Sequence, residues 1–98
     1  MRALVLVEPG KTEIRDIPMP VPTDEEVLLR IGMVGFCGGD LNGFKGLFEM
    51  QEYPNVLGHE VGATIETTGK NVPASFTSGM KVTLNPYLNC GVCIACRK

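Results

Sequence analysis

The sequence has no long apolar run and no cluster of basic residues. Its apolar opening, residues 1–7, stops at Glu8 and Pro9, too soon for the apolar region of a signal peptide. A membrane-spanning helix needs about 20 mostly apolar residues, so none is expected. Nine Lys and Arg are scattered among eleven Asp and Glu, for a net charge of −2. We therefore expect a cytoplasmic protein that binds neither membrane nor nucleic acid.

The sequence also lacks a Gly-x-Gly-x-x-Gly motif and any regular alternation of strands with helices. Those features are typical of domains that bind dinucleotides, so no such domain is expected within these residues. The chain has 98 residues, of which 44% are apolar. This length allows one small globular domain with a modest core.

Short stretches of alternating or apolar residues, separated by Gly and Pro, predict a strand-rich fold. The prolines of residues 18–22 predict an extended connector, because each fixes its φ angle and lacks a backbone donor. Asp40 is the predicted cap of a weak helix that runs to residue 45. A mainly β protein with short helices is predicted, arranged as a small, partly open barrel. The predicted strands are residues 3–7, 12–17, 27–34, 61–68 and 81–84.

Three cysteines near the end of the sequence, Cys90, Cys93 and Cys96, are separated by two residues each. Free thiols rarely show such regular spacing, so metal binding is the favoured interpretation. Thiolates suit soft or borderline metals, and a closed tetrahedral zinc site would need a fourth donor. Bacterial ferredoxins begin with the same spacing, so an iron–sulfur cluster is the alternative.

The fourth cysteine, Cys37, and the single histidine, His59, both lie in glycine-containing breaks between predicted strands. Each residue alone is more often structural than functional. Strand ends beside glycine, however, are places where ligands can approach the chain closely. Together with Glu60, which follows His59, they form a second candidate site.

The run from Gly35 to Leu41, the run from Leu57 to Glu60 and the cysteine triplet follow one another in the sequence. In this order they resemble the zinc-dependent medium-chain alcohol and polyol (sorbitol-like) dehydrogenases, and the resemblance covers essentially the whole chain. It implies that residues 1–98 are the N-terminal part of a GroES-like catalytic domain. A Rossmann domain that binds NAD or NADP would lie outside them, so these residues alone would be inactive. The full-length enzyme would be a homodimer or homotetramer.

The resemblance also implies roles for the site residues. Cys37 and His59 would hold a catalytic zinc; Glu60 would be its third protein ligand in the polyol branch and a nearby group in the alcohol branch. Asp40 would hydrogen-bond the imidazole of His59 and fix its tautomer. The cysteine triplet would hold a separate structural zinc, with a fourth cysteine beyond Lys98. The triplet comprises Cys90, Cys93 and Cys96.

The sequence departs from the family pattern at three places. Gly39 replaces a Ser or Thr that relays the substrate proton, and Asn42 replaces a histidine common in the relay. The glycine that normally follows the Gly-His-Glu motif comes one place early, at Gly62. The first two differences favour a polyol or a sugar acid as the substrate, whose own hydroxyls could assist proton release. The third indicates a divergent subgroup.

Two further interpretations complete the sequence-based picture. Phe44, Phe48 and Met50 could line a substrate cleft, although core or surface packing is the favoured interpretation. The alternative to an enzyme is a stand-alone, non-catalytic zinc- or iron-binding module on a barrel scaffold. Such a module would recruit its fourth ligand from His59, a terminus or a partner chain.

Overall fold

The computed structural model describes residues 1–97 and is mainly β, with one short helix in that range. Two antiparallel sheets form the framework, one of two strands and one of three. Within the described residues, no helix is long and apolar enough to cross a membrane. In chain order, the elements are β1 (Arg2–Glu8), β2 (Lys11–Asp16), β3 (Val27–Gly35), α1 (Gly38–Phe44), β4 (Glu60–Thr68) and β5 (Lys81–Val82).

The first sheet is a hairpin of the two predicted strands β1 and β2. The chain reverses at Pro9 and Gly10, and Gly10 adopts a φ of 78°, which glycine tolerates without steric cost. Residues 18–22 then form no regular secondary structure, as their prolines predict. The hairpin contacts the rest of the chain through a bridge between Leu6 and Asn55, with backbone hydrogen bonds of 2.8 and 2.9 Å.

The second sheet has the order β3-β4-β5, with β4 at its centre. The pairing of β3 with β4 shifts register between Leu28 and Leu29 and again between Ile31 and Met33. Residues 27–34 therefore do not alternate strictly between two faces, because each irregularity changes which face the following side chains occupy. The last strand is also shorter than predicted and ends at Val82.

The core is small and is built mainly from β1 and β4. Leu6 and Ile65 are its most buried large side chains, with 1% and 2% of their surfaces exposed. Burial of side chains of this size contributes about 1.5–3 kcal/mol each. The remaining buried apolar residues are Val5, Val61 and Ala63.

The helix differs from the prediction at its start. Cys37, and not Asp40, is the residue that precedes the first turn, and Asp40 lies inside the helix. The Asp40 carboxylate reaches back and accepts a hydrogen bond from the Cys37 backbone N–H at 3.0 Å. The first two residues of the helix are glycines, which makes the helix intrinsically weak. This contact helps to hold the segment in place, as does a hydrogen bond of 2.7 Å that the Tyr53 hydroxyl donates to the Gly43 carbonyl.

Candidate metal centre

Cys37 and His59 are brought together by the pairing of β3 with β4. Gly35, the last residue of β3, pairs with Glu60, the first residue of β4. The segment after β3 therefore lies beside the segment before β4, although the two are distant in sequence. The Cys37 Sγ atom lies 3.3 Å from His59 Nε2.

Asp40 completes a cluster of three potential ligands. Its side chain is 7% exposed, the only buried charged residue among those that the structure describes. One carboxylate oxygen binds the Cys37 N–H, and the other lies 3.9 Å from His59 Nδ1. That distance is longer than a hydrogen bond, but the carboxylate faces the ring nitrogen that the predicted role requires. The three side chains place one potential ligand atom each within 4.8 Å of one another.

The donor chemistry of this cluster fits zinc. A thiol sulfur and an imidazole nitrogen are typical zinc ligands, and a carboxylate behind the other ring nitrogen is their usual support. The His59 imidazole would coordinate through Nε2, because that atom faces Cys37 while Nδ1 faces Asp40. Cys37 and His59 would therefore hold the metal, with Asp40 orienting the ring.

Glu60 does not join this cluster in the structure. Its side chain lies over Gly35, where a Cβ atom would come within 2.7 Å of the Glu60 Oε2 atom. The absence of a side chain at Gly35 therefore provides the space that the carboxylate occupies. Glu60 is next in sequence to a metal-ligand candidate but its side chain lies against Gly35, and its role as the third ligand stays a prediction.

Gly58 sets the backbone conformation before His59. Its φ angle is 112°, which residues with a side chain rarely adopt. A Cβ atom at this position would lie 2.5 Å from the Val34 Cγ1 atom. Both the dihedral angle and the close approach to β3 therefore require glycine here.

The cysteine triplet forms a second cluster in an exposed loop. The Sγ atoms of Cys93 and Cys96 are 3.4 Å apart, and those of Cys90 and Cys96 are 3.7 Å apart. Hydrogen bonds from the Val92 and Cys93 backbone N–H groups and from the neighbouring thiols lower the pKa of Cys90 to about 7. Since the thiolate is the form that binds metal, this arrangement suits a soft or borderline cation.

Two pockets flank His59. One, of about 700 Å³, is largely apolar and lies along the strands, with Met33, Leu84 and Tyr87 among its lining residues. The other, of about 450 Å³, lies between α1 and the segment before β4. Phe48 lines this second pocket, while Phe44 and Met50 do not. Three amide residues also line it, Asn42, Gln51 and Asn55. The sequence singled out Asn42, as the replacement for a relay histidine, but gave no signal for Gln51 and Asn55.

We expect Asp40→Asn to weaken zinc binding at Cys37 and His59 by about 10–100-fold, the usual effect of changing a residue that supports a metal ligand. The amide oxygen can still accept from the Cys37 N–H, so the change mainly removes the negative charge facing His59. Competition with a chromophoric chelator measures the affinity. Asp24→Asn, on an exposed ion pair with Lys70, is the matched control. Equal affinities for Asp40→Asn and the unchanged protein would contradict this role for Asp40.

Comparison with known proteins identifies the family. Residues 23–98 match the alcohol dehydrogenase GroES-like domain. The match covers most of the chain, which therefore belongs to this family. The predicted family and the predicted mainly β, GroES-like fold are both confirmed.

Named relatives include dehydrogenases of sugar acids and polyols. The L-galactonate-5-dehydrogenase of Escherichia coli K12 is 36% identical over 97 residues, which make up 99% of this chain and 28% of that protein. The sorbitol dehydrogenase of Bacillus subtilis 168 is 34% identical over 102 residues, covering 100% of this chain and 28% of that protein. The chain thus spans little more than a quarter of the length of these relatives.

Solved structures of similar proteins share the fold. Zinc-dependent alcohol dehydrogenase 2 from Streptococcus pneumoniae superposes with a TM-score of 0.83 at 32% identity, covering 99% of this chain and 28% of that one. An alcohol dehydrogenase from E. coli CFT073, complexed with NADH, gives a TM-score of 0.86 at 29% identity, with coverages of 99% and 28%.

Proposed function

We propose that these residues belong to the catalytic domain of a zinc- and NAD(P)-dependent dehydrogenase that oxidises a secondary alcohol, a polyol or a sugar acid. The observation that carries the proposal is the cluster of Cys37, Asp40 and His59, whose ligand atoms lie within 4.8 Å of one another. Relatives named as sorbitol and L-galactonate dehydrogenases support the substrate class. Relatives named as zinc-dependent or complexed with NADH support the cofactors.

Each residue of the cluster has a separate task in this proposal. Cys37 and His59 bind the metal, and Asp40 holds the His59 ring so that Nδ1 keeps its proton and Nε2 stays free to coordinate. Zinc, when bound, acts as a Lewis acid toward the substrate oxygen. Because Gly39 carries no hydroxyl, proton release passes through water, Glu60 or a hydroxyl of the substrate.

The cysteine triplet has a structural role in this proposal. Its three thiols lie in an exposed loop, away from Cys37 and His59 in sequence and outside both pockets. A structural zinc there needs a fourth ligand, which we place beyond Lys98. The triplet comprises Cys90, Cys93 and Cys96.

Exposed apolar side chains support the placement of these residues within a larger catalytic domain. Met33, Tyr87 and Leu88 have 77%, 82% and 100% of their surfaces exposed, and Met33 and Tyr87 both line the larger pocket. Patches of large exposed apolar residues usually contact other protein surface. We place a Rossmann domain outside residues 1–98, and therefore expect these residues alone to be inactive. A stand-alone metal-binding module would leave these side chains in water.

Activity of the full-length enzyme tests the proposal. We expect NAD- or NADP-dependent oxidation of sorbitol or a related polyol, loss of that activity after removal of zinc by a chelator, and recovery on addition of zinc. Undiminished activity in the fully metal-free enzyme would contradict it. A cytoplasmic location and assembly as a homodimer or homotetramer stay predictions. The use of cysteine thiols as metal ligands agrees with a cytoplasmic location, because thiols stay reduced there.

A further inference from the structure

The metal-binding cluster is divided between two segments of the chain that are far apart in sequence. Cys37 and Asp40 belong to the start of α1, whereas His59 ends the segment between α1 and β4. The Asp40 carboxylate faces His59 Nδ1 across 3.9 Å, so no hydrogen bond between these two side chains fixes their separation. The position of α1 relative to the segment before β4 therefore decides how well Asp40 supports His59.

The hydroxyl group of Tyr53 joins these two segments. It donates a hydrogen bond of 2.7 Å to the carbonyl of Gly43, three residues after Asp40 in α1. Tyr53 is half-buried and Gly43 is buried, so the bond is shielded from water. Within residues 1–97, it is the only hydrogen bond that a side chain outside α1 makes to the backbone of Gly38–Phe44. Because α1 is short and begins with two glycines, its position depends on such contacts.

The segment that carries Tyr53 is itself tied to the core. Asn55, two residues later, exchanges backbone hydrogen bonds of 2.8 and 2.9 Å with Leu6, whose side chain is buried in the core. The absence of a side chain at Gly43 lets this segment approach α1 closely, since a Cβ atom there would lie 3.3 Å from Gln51 Oε1. A continuous set of contacts thus runs from β1 through Tyr53 to the helix that contains Asp40.

We propose that Tyr53 is a positioning residue of the metal centre: its hydrogen bond to Gly43 holds α1 so that the Asp40 carboxylate stays opposite His59 Nδ1. Asp40 in that position keeps the proton on Nδ1 and leaves Nε2 free to bind zinc. Without the bond α1 can shift, and the carboxylate then supports the imidazole less well. This inference rests on the proposed function, to which it adds a residue that lies outside the ligand cluster and lines neither pocket.

Zinc affinity of the full-length enzyme tests the inference, with Tyr53→Phe as the variant that removes only the hydroxyl. Competition with a chromophoric chelator measures zinc release, and the release step that is missing in Cys37→Ser belongs to this site. We expect Tyr53→Phe to weaken zinc binding at this site about threefold to tenfold, the effect of one neutral hydrogen bond. Ser78→Ala removes a comparable hydroxyl bond, of 2.8 Å to the Glu66 carbonyl, and should leave this affinity unchanged.

A double-mutant cycle with Asp40 separates positioning of the carboxylate from a general effect on the fold. If Tyr53 acts through Asp40, adding Tyr53→Phe to Asp40→Asn should weaken zinc binding further by less than about twofold. Unchanged zinc affinity in Tyr53→Phe, an equal loss in both backgrounds, or an equal loss in Ser78→Ala would overturn the inference. An enzyme that oxidises no alcohol, yet shows this dependence of zinc affinity on Tyr53, would contradict the proposed function alone.

Discussion

Replacement of Cys37 by serine is expected to abolish alcohol oxidation in the full-length enzyme while leaving its fold intact. The Cys37 Sγ atom lies 3.3 Å from His59 Nε2, and no other cysteine of the described residues joins that cluster. A serine hydroxyl is a poor zinc ligand, so the metal and its Lewis-acid assistance are lost. Because that assistance amounts to several kcal/mol, kcat should fall by at least about a thousandfold.

The matched control for this prediction is Cys93→Ser, which changes the same residue type in the other cluster. We expect that variant to keep the metal at Cys37 and His59. Its free energy of unfolding should fall more than its kcat does. Steady-state kinetics, with circular dichroism to confirm folding, measure both variants. Full turnover in folded Cys37→Ser would remove the basis for the proposed metal centre.

Substitution of Gly58 by alanine is expected to have the largest effect among changes outside the ligands themselves. The φ angle of 112° is nearly exclusive to glycine, and holding another residue there costs about 1–3 kcal/mol. In addition, the new methyl group would lie 2.5 Å from the Val34 Cγ1 atom of β3. Relief of both requires the backbone at His59 to move, so metal affinity should fall together with the free energy of unfolding.

Gly62→Ala is the control for Gly58→Ala. Gly62 lies in β4, has no positive φ angle, and a Cβ atom there would meet nothing within 4 Å. Urea unfolding and chelator competition should therefore give nearly unchanged values for Gly62→Ala. If Gly58→Ala gave the same values as Gly62→Ala in both measurements, the positive φ angle of Gly58 would not be needed to position the metal ligand His59.

The strands were largely predictable because their signals are local. Pro9-Gly10 predicts the reversal between β1 and β2, and the prolines of residues 18–22 predict the irregular connector. The irregularities in β3 were not predictable, because they depend on how Ile31 and Met33 pair with β4 and not on the residues of β3 alone. The same applies to the start of α1, where the position of Asp40 depends on its contact with Cys37.

The site was predictable in its residue types but not in its geometry. Glycine-flanked Cys37 and His59 stand out in the sequence, and the family resemblance links them. The direction of the Glu60 side chain follows from its pairing with Gly35 across two strands, which the sequence does not reveal. Asn42 and Asn55 line the same pocket only because α1 lies near the segment before β4.

Zinc content per polypeptide, measured together with the intact mass on natively purified protein, tests the central claim most directly. We predict a mass well above the 10.6 kDa of residues 1–98 and about two zinc ions per chain, one at each cluster. Cys37→Ser should reduce the content to about one. Two zinc ions retained in Cys37→Ser, or no zinc in the unchanged protein, would contradict the assignment of Cys37 and His59 to a catalytic zinc.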